Sequence, residues 1–299
     1  MRNRSKTNWY SFLSRCCLGR NRNRLMPQGF SIERVLLIVF IIVLVISIVL
    51  PSIPQRPNRH AYAVKQMGQL KSIDTALELF KMELGYYPPS DALDENERPY
   101  CGAMKLCEAA MGRDLMGVHP SSQFRQDGKD DSGNPLYDSK TVAVRKGPYL
   151  PIENANAYHL KDLYKDVGSF DGNDYVICDV YKPIVNITTG KKIGMPVLYY
   201  KANTSKTAHD VNDPDNPENI YDYKDNHTLL ALGVPDKPGQ KHPLFENPKI
   251  FYEMTRDHST AEVSRPNRAD TYILLSAGWD GLYGTQDDVA NFEMRWKPK

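Results

Sequence analysis

An uninterrupted apolar run, Val35 to Leu50, dominates what this 299-residue chain can be, and Ser47 is its only polar residue. With the apolar residues on either side, the stretch approaches the ~20 residues that a helix needs to span a bilayer core. The run shows no amphipathic period, which argues against a surface helix or one face of a core helix. The sequence therefore predicts an N-terminal transmembrane helix over residues 30–53.

Basic residues are concentrated before this run. Of the 38 Lys and Arg, eight lie in residues 1–34 against one acid, Glu33, so that residues 35–299 keep 30 bases against 35 acids. Because basic flanks stay in the cytoplasm, we expect a cytoplasmic N-terminus and a main domain outside the cytoplasm. A basic arm for nucleic acid is an alternative, but the mildly acidic main domain argues against a nucleic-acid partner. A cleaved signal peptide is another, although no small-x-small cleavage site follows the run.

The segment from Gly29 to Glu33 reads Gly-Phe-Ser-Ile-Glu and joins the basic leader to the apolar run. It resembles the leader of type IV prepilins and pseudopilins. The resemblance implies cleavage between Gly29 and Phe30 by a prepilin peptidase, methylation of the new N-terminus, and location in the inner membrane with a periplasmic domain. It also implies that Glu33 acts in assembly, by pairing with the N-terminal amine of a neighbouring subunit. The family Glu stands fifth after cleavage, whereas Glu33 is fourth and Arg34 is fifth.

An amphipathic helix is predicted after this segment. Prolines at every third position from 51 to 57 indicate a hinge, because each removes a backbone donor. Apolar residues then recur at every third or fourth position from Val64 to Leu84, and Gly85 is placed to end the helix. The segment resembles the amphipathic helix of the major pseudopilin of type II secretion (protein G), which ends in a similar Gly-x-Tyr-Pro turn.

Three later segments are rich in β-branched and aromatic residues and predict strands: Asp174 to Tyr181, Pro196 to Lys201 and Thr271 to Ala277. A helix followed by antiparallel strands predicts an α+β fold. The resemblance implies a pilin-like fold, in which the amphipathic helix packs on the antiparallel sheet. Residues 90–170 have no counterpart in the family and are interpreted as a large loop insertion.

These predictions divide the chain into four parts. They are a leader (1–29), a transmembrane helix (30–53), a hinge with the amphipathic helix (54–89), and a globular domain (90–299) with the insertion and a C-terminal acidic loop.

The acidic loop follows the last predicted strand. Asp280, Asp287 and Asp288 stand among glycines that let a backbone turn its carbonyls inward, and hard cations such as calcium prefer carboxylate and carbonyl oxygens. The loop resembles the calcium loop of the major pseudopilin, with an Asp at its start and an acidic pair seven residues later. We therefore predict calcium as the cofactor and these three residues as its ligands. A solvated turn is the alternative, because Asp and Gly favour turns without any metal.

The three cysteines of the main domain are expected in an oxidising compartment. Cys101–Cys107 is the favoured disulfide, because a short loop closes easily, and Cys178 is expected to be buried and free, although the sequence leaves the pairing open. No His-Glu-x-x-His, Gly-x-Ser-x-Gly, phosphate loop or dinucleotide motif occurs. We therefore predict no enzyme, with a convergent active site as the alternative.

The predicted function is that of a pseudopilin-like structural subunit of a type II secretion or type IV pilus-like system. Its partners would be further copies of itself or other pseudopilins. The alternative is a membrane-tethered binding domain outside the cytoplasm that does not polymerise. The early Glu33, the prolines and the large main domain favour that alternative.

Overall fold

The computed structural model describes residues 31–49, 59–186, 189–259 and 264–296. The chain divides into two units, Met1–Pro57 and Asn58–Lys299, and each is described by itself. The processing residues Gly29 and Phe30 and the predicted proline hinge lie outside the described residues.

The described part of the first unit is helix α1 (Ile32–Val49), whose first turn contains Glu33 and Arg34. Its apolar part, Val35–Val49, has a rise of about 22 Å, which is less than the ~30 Å of a bilayer core. Among the described residues, no helix combines the length and the apolar character needed to cross a membrane. The predicted transmembrane helix over 30–53 is therefore wrong, because it joined apolar residues on both sides of the charged pair into one span.

In the second unit, helix α2 (Arg59–Leu84) is the predicted amphipathic helix. Gly85 has φ +88° and donates its N–H to the carbonyl of Lys81 at 2.8 Å, so the helix ends where the sequence predicted. The C-terminal two thirds of the predicted apolar face pack into the core through Leu70, Ile73, Leu77 and Phe80.

The N-terminal part of α2 differs from the predicted apolar face, because two glutamines are buried there. The Gln66 side-chain oxygen accepts the N–H of Val180, and Gln69 Nε2 donates to the carbonyl of Cys178, both at 2.9 Å. Each glutamine satisfies a backbone group of the segment that packs on the helix, which removes the cost of leaving that group unpaired. Val64 and Met67, expected in the core, are exposed instead.

Six further helices and seven strands make up the rest of the described second unit. The helices are α3 (Gly102–Met111), α4 (Ile152–Ala155), α5 (Leu160–Leu163), α6 (His227–Ala231), α7 (Pro243–Glu246) and α8 (Lys249–Thr255), with short 3-10 helices at Val142–Val144 and Tyr223–Asn226. The strands are β1 (Ala157–His159), β2 (Tyr175–Ile177), β3 (Ile184–Val185), β4 (Lys192–Ile193), β5 (Leu198–Lys201), β6 (Tyr272–Ser276) and β7 (Val289–Ala290).

All the sheets in this part of the chain are small and antiparallel. β1 pairs with β2, β3 pairs with β4, and the largest sheet has the order β5-β6-β7. In that sheet Leu198 lies opposite Leu275 and Tyr200 lies opposite Ile273. The three predicted strand segments are confirmed as β2, β5 and β6. The predicted pilin-like fold is wrong, because the strands form three separate sheets rather than one sheet beneath the amphipathic helix.

Helix α3 forms the centre of the core, and every one of its residues is buried. It packs against α2, β2 and β5, so residues that were interpreted as a loop insertion hold the main elements together. Two charged residues are buried with it. Lys105 Nζ donates to the carbonyls of Asp91 and Leu93 at 2.8 and 3.0 Å, and Glu108 accepts hydrogen bonds from three hydroxyl groups.

Candidate functional site: the acidic loop

The acidic loop occupies residues 277–288 and connects β6 to β7. Its three glycines, Gly278, Gly281 and Gly284, all have positive φ. At Gly278 a Cβ atom would lie 2.2 Å from the backbone oxygen of Asp287, so the two ends of the loop approach too closely for any side chain. The loop is therefore closed on itself, and its acidic residues are brought near one another.

The carboxylates of the loop accept hydrogen bonds from the backbone of the same loop. Asp287 Oδ2 accepts from the N–H groups of Trp279 at 2.6 Å and Asp280 at 3.1 Å. Asp280 Oδ1 accepts from Leu282 N at 2.7 Å, and Asp287 Oδ1 accepts from the Thr285 hydroxyl at 2.7 Å. These bonds fix the directions of the carboxylates before any ligand arrives.

Three carboxyl groups lie close enough in this loop to disfavour one another's ionisation. Burial raises the pKa of Asp288 well above its usual range, and the charges of Asp287 and Asp280 raise it further. Burial also raises the pKa of Asp280, and the charge of Asp287 adds to that effect. Among the described residues, no Lys or Arg forms a salt bridge with any of the three carboxylates.

The loop meets one requirement of a calcium site and not another. Three close carboxylates without a counter-ion favour a divalent cation on electrostatic grounds. Their oxygens, however, are directed at N–H groups, and no group of three or more His, Cys, Asp or Glu in the described chain is arranged to hold a metal ion. Calcium at Asp280, Asp287 and Asp288 therefore stays a prediction that requires the side chains to turn.

His242 holds the loop against the rest of the unit. Its Nδ1 accepts the N–H of Tyr283 at 3.3 Å, and its Nε2 donates to the carbonyl of Gly233 at 3.1 Å. Burial lowers the pKa of His242 to about 4, so the ring is neutral at pH 7 and can accept at one nitrogen. Leu244 N also donates to the Tyr283 carbonyl at 3.1 Å, which attaches the loop to α7.

A buried aspartate, Asp179, contacts the end of the strand that leads into the loop. Asp179 Oδ2 accepts the hydroxyl of Ser276, the last residue of β6, at 2.9 Å, and Oδ1 accepts the N–H of Met195 at 3.2 Å. Burial raises the pKa of Asp179 to about 7. The sequence showed Asp179 only as a polar residue within a strand-like segment, and His242 as one of seven scattered histidines. Their roles depend on pairings between segments that are distant in sequence.

The outer side of the loop contacts the start of α2. The ring of Trp279 meets the ring of Tyr62 edge to face, with centroids 5.6 Å apart, and the Arg59 guanidinium lies 5.6 Å from the Trp279 ring centroid. Aromatic and cation–π contacts of this kind each contribute roughly 0.5–1.5 kcal/mol. The acidic loop therefore stabilises the first turn of α2.

The remaining predicted site residues are placed as follows. Glu33 lies in the first turn of α1 and is exposed. Cys101, Cys107 and Cys178 are all buried, free thiols. The predicted Cys101–Cys107 disulfide is not formed, because Cys101 caps the N-terminus of α3 and Cys107 lies six residues further along it. Six residues of helix rise about 9 Å, whereas bridged cysteines have Cα atoms roughly 4–7 Å apart.

Comparison with known protein families finds no matching family model, and no match is found among curated proteins or among solved structures. The resemblance to pseudopilins therefore depends on the leader, the Gly-x-Tyr-Pro turn and the acidic loop alone.

If the acidic loop binds calcium, adding calcium should raise the melting temperature of the protein. At a concentration of 100 times Kd, bound ligand stabilises the folded state by about 2.7 kcal/mol, which corresponds to roughly 5 °C for a unit of this size. Thermal melts with calcium and with a chelator would measure the shift. Asp280→Ala should remove it. Asp171→Ala, in the separate acidic turn at 171–174, should keep the shift in melting temperature. If the unmodified protein melts at the same temperature with calcium and with chelator, the result would argue against calcium.

Proposed function

We propose that this chain is a non-catalytic structural subunit of the pseudopilin kind, which acts at the inner membrane and assembles with copies of itself or with similar subunits. The observation that carries the proposal is the apolar surface of α1. From Ile32 to Leu44 every side chain is exposed, and the large apolar ones are 45–78% exposed. Burying one such side chain stabilises a complex by roughly 1.5–3 kcal/mol, so a helix of this composition favours association with other apolar surfaces.

A second apolar strip supports assembly through helices. On α2, Val64, Met67, Leu79 and Met82 are 40–80% exposed, and the spacing of three and twelve residues places them on one side of the helix. Gly68 lies among them, and no atom lies within 4 Å of the position that its Cβ would take. A neighbouring helix could approach closely at this point.

The acidic loop has a supporting role in this proposal. Its contact with Tyr62 and Arg59 stabilises the first turn of α2, where the exposed strip begins. Calcium in the loop would increase that effect by neutralising the carboxylates of Asp280, Asp287 and Asp288. The proposal requires no catalytic residue.

Two experiments in the native host test assembly. Mass spectrometry of the mature protein should find an N-terminus at Phe30 that is methylated, and an intact Met1 would remove the processing step. Met67→Cys and Met82→Cys should give crosslinked dimers under mild oxidation, because the exposed strips of neighbouring subunits would face each other. The three native cysteines described in the second unit are buried and should not react.

The matched control for crosslinking is Lys237→Cys, which is also exposed but lies in a loop outside the strip. Crosslinking at Lys237→Cys to the same extent would indicate random collision. No crosslinking at Met67→Cys or Met82→Cys would favour the alternative function, a binding domain that does not polymerise.

A further inference from the structure

A cavity of about 380 Å³ lies between the loop at 208–216 and the C-terminal end of α8. Its volume is within the lower part of the range usual for small-ligand sites, which is roughly 300–1,000 Å³. It is distant in sequence from the acidic loop, and none of its lining residues belongs to that loop. The polar side chains that line it are His209, Asp210, Asn212, Asn216, Arg256 and Ser264.

Arg256 brings a positive charge to this cavity. It follows the last residue of α8, and its Nε atom is buried with no hydrogen-bond partner. Among the described residues, no carboxylate forms a salt bridge with its guanidinium. A guanidinium presents five N–H donors in a planar fork that matches the oxygens of a carboxylate or phosphate.

His209 lies beside Arg256 and has one unused nitrogen. Its Nε2 donates to the carbonyl of Tyr252 at 2.7 Å, which leaves Nδ1 as an acceptor, and Nδ1 is buried with no partner. The side chain is 3% exposed. Burial, together with the smaller effect of the charge of Arg256, lowers the pKa of His209 to about 4. A buried polar atom without a partner is costly, and a ligand that contacts Nδ1 would remove that cost.

Hydrogen bonds from the surrounding residues hold His209 in place and engage the carboxylate of Asp210. Ser264 Oγ donates to the backbone carbonyl of His209 at 2.8 Å. Asp210 also lines the cavity, and its Oδ1 accepts the N–H groups of Asn212 at 2.9 Å and Asp213 at 3.1 Å. These bonds turn the carboxylate toward its own loop.

We infer that this cavity binds a small oxyanion, a carboxylate or a phosphate, on the guanidinium of Arg256, with His209 supplying a second hydrogen bond through Nδ1. The Nδ1 atom of a neutral His209 would accept a hydrogen bond from a hydroxyl group of the ligand, and hydrogen phosphate has such a group. A protonated His209 would donate to a fully ionised oxygen. The inference is independent of assembly, because none of its residues belongs to α1 or to the exposed strip of α2.

The test is titration calorimetry of the full-length protein with sulfate, inorganic phosphate and acetate. We expect saturable binding, which Arg256→Gln should weaken at least tenfold. Arg256→Lys keeps the charge but loses the fork, and it should weaken binding less. Lys237→Gln removes one charge from an exposed loop and should leave binding unchanged. Preference for phosphate over acetate would assign the site to phosphate groups, and the reverse preference to carboxylates.

The pH dependence of sulfate binding distinguishes a contribution of His209 from attraction by the charge of Arg256 alone. Sulfate does not titrate near neutral pH, and a bound anion raises the pKa of the imidazole beside it. Sulfate should therefore bind several-fold more tightly at pH 5.5 than at pH 7.5, and His209→Gln should abolish this difference. The charged groups that face His209 are Arg256 and Asp210. Backbone hydrogen bonds lower the pKa of Asp210, so this carboxylate keeps its charge over the interval. Equal binding by Arg256→Gln and the unmodified protein, or equal weakening by Lys237→Gln, would overturn the inference.

Discussion

Gly102→Ala should lower the free energy of unfolding by about 3 kcal/mol. Gly102 is the first residue of α3, and a Cβ atom there would lie 2.2 Å from the backbone oxygen of Tyr199 in β5. Asn226 Nδ2, 3.0 Å from the same point, could move only by giving up its own hydrogen bond to that oxygen. Strand β5 is paired in the largest sheet, so neither partner can give way easily. Overpacking in such a place typically costs 1–3 kcal/mol or more.

The matched control is Gly68→Ala, the same substitution in the middle of α2. No atom lies within 4 Å of the position of its Cβ, and alanine is favoured over glycine in a helix by about 1 kcal/mol. This variant should therefore gain stability. Urea unfolding of the two variants measures both effects. A loss below about 1 kcal/mol at Gly102 would mean that α3 and β5 do not approach each other as described.

Glu108→Ala should lower the free energy of unfolding by about 4 kcal/mol. Glu108 is buried on α3, and its carboxylate accepts hydrogen bonds from the hydroxyls of Tyr100 at 2.5 Å, Tyr137 at 2.7 Å and Ser122. Alanine would leave three hydroxyl groups without their acceptor and create a cavity. Breaking a buried polar network is among the few mechanisms that cost this much.

Glu108→Gln separates the hydrogen bonds from the volume of the side chain. A glutamine fills nearly the same space, and hydroxyl groups can turn to accept from its amide as well as donate to its carbonyl. Glu108→Gln should therefore lower the free energy of unfolding by less than about 2 kcal/mol. Glu153→Ala, an exposed position on α4, is the control and should be nearly neutral. Similar losses for Glu108→Ala and Glu108→Gln would show that the charge rather than the network stabilises the core.

Local patterns in the sequence correctly predicted those helices and strands whose apolar residues recur regularly or cluster in one short segment. The periodicity from Val64 to Leu84 predicted α2, and Gly85 predicted its end. The β-branched and aromatic segments correctly predicted β2, β5 and β6. The positions of Asp280, Asp287 and Asp288 in one glycine-rich loop were also readable, because a loop brings near neighbours together without help from the rest of the chain.

Polar residues in the core were not predictable from the same patterns. Gln66 and Gln69 stand between the apolar positions of the predicted amphipathic helix, and Glu108 lies in the segment interpreted as an insertion. Their partners are backbone groups and hydroxyls that lie between 8 and 114 residues away along the chain. A polar side chain can be buried only when such a partner is present, and hydropathy does not contain that information. The disulfide prediction failed for a related reason, since a short sequence separation does not fix distance once the segment is helical.

The sequence by itself determined that an apolar helix precedes an amphipathic one, that strands follow, and that three carboxylates share one loop. Tertiary structure alone decided that the strands form three separate sheets, that β2 and β5 pack on α3, and that His242 and Asp179 hold the acidic loop. It also brought Arg256 and His209 to one cavity. The physical reason is that periodicity and turn chemistry act over a few residues. The partners of a buried charge or of an unpaired donor come from segments that are distant in sequence, and only folding brings these segments together.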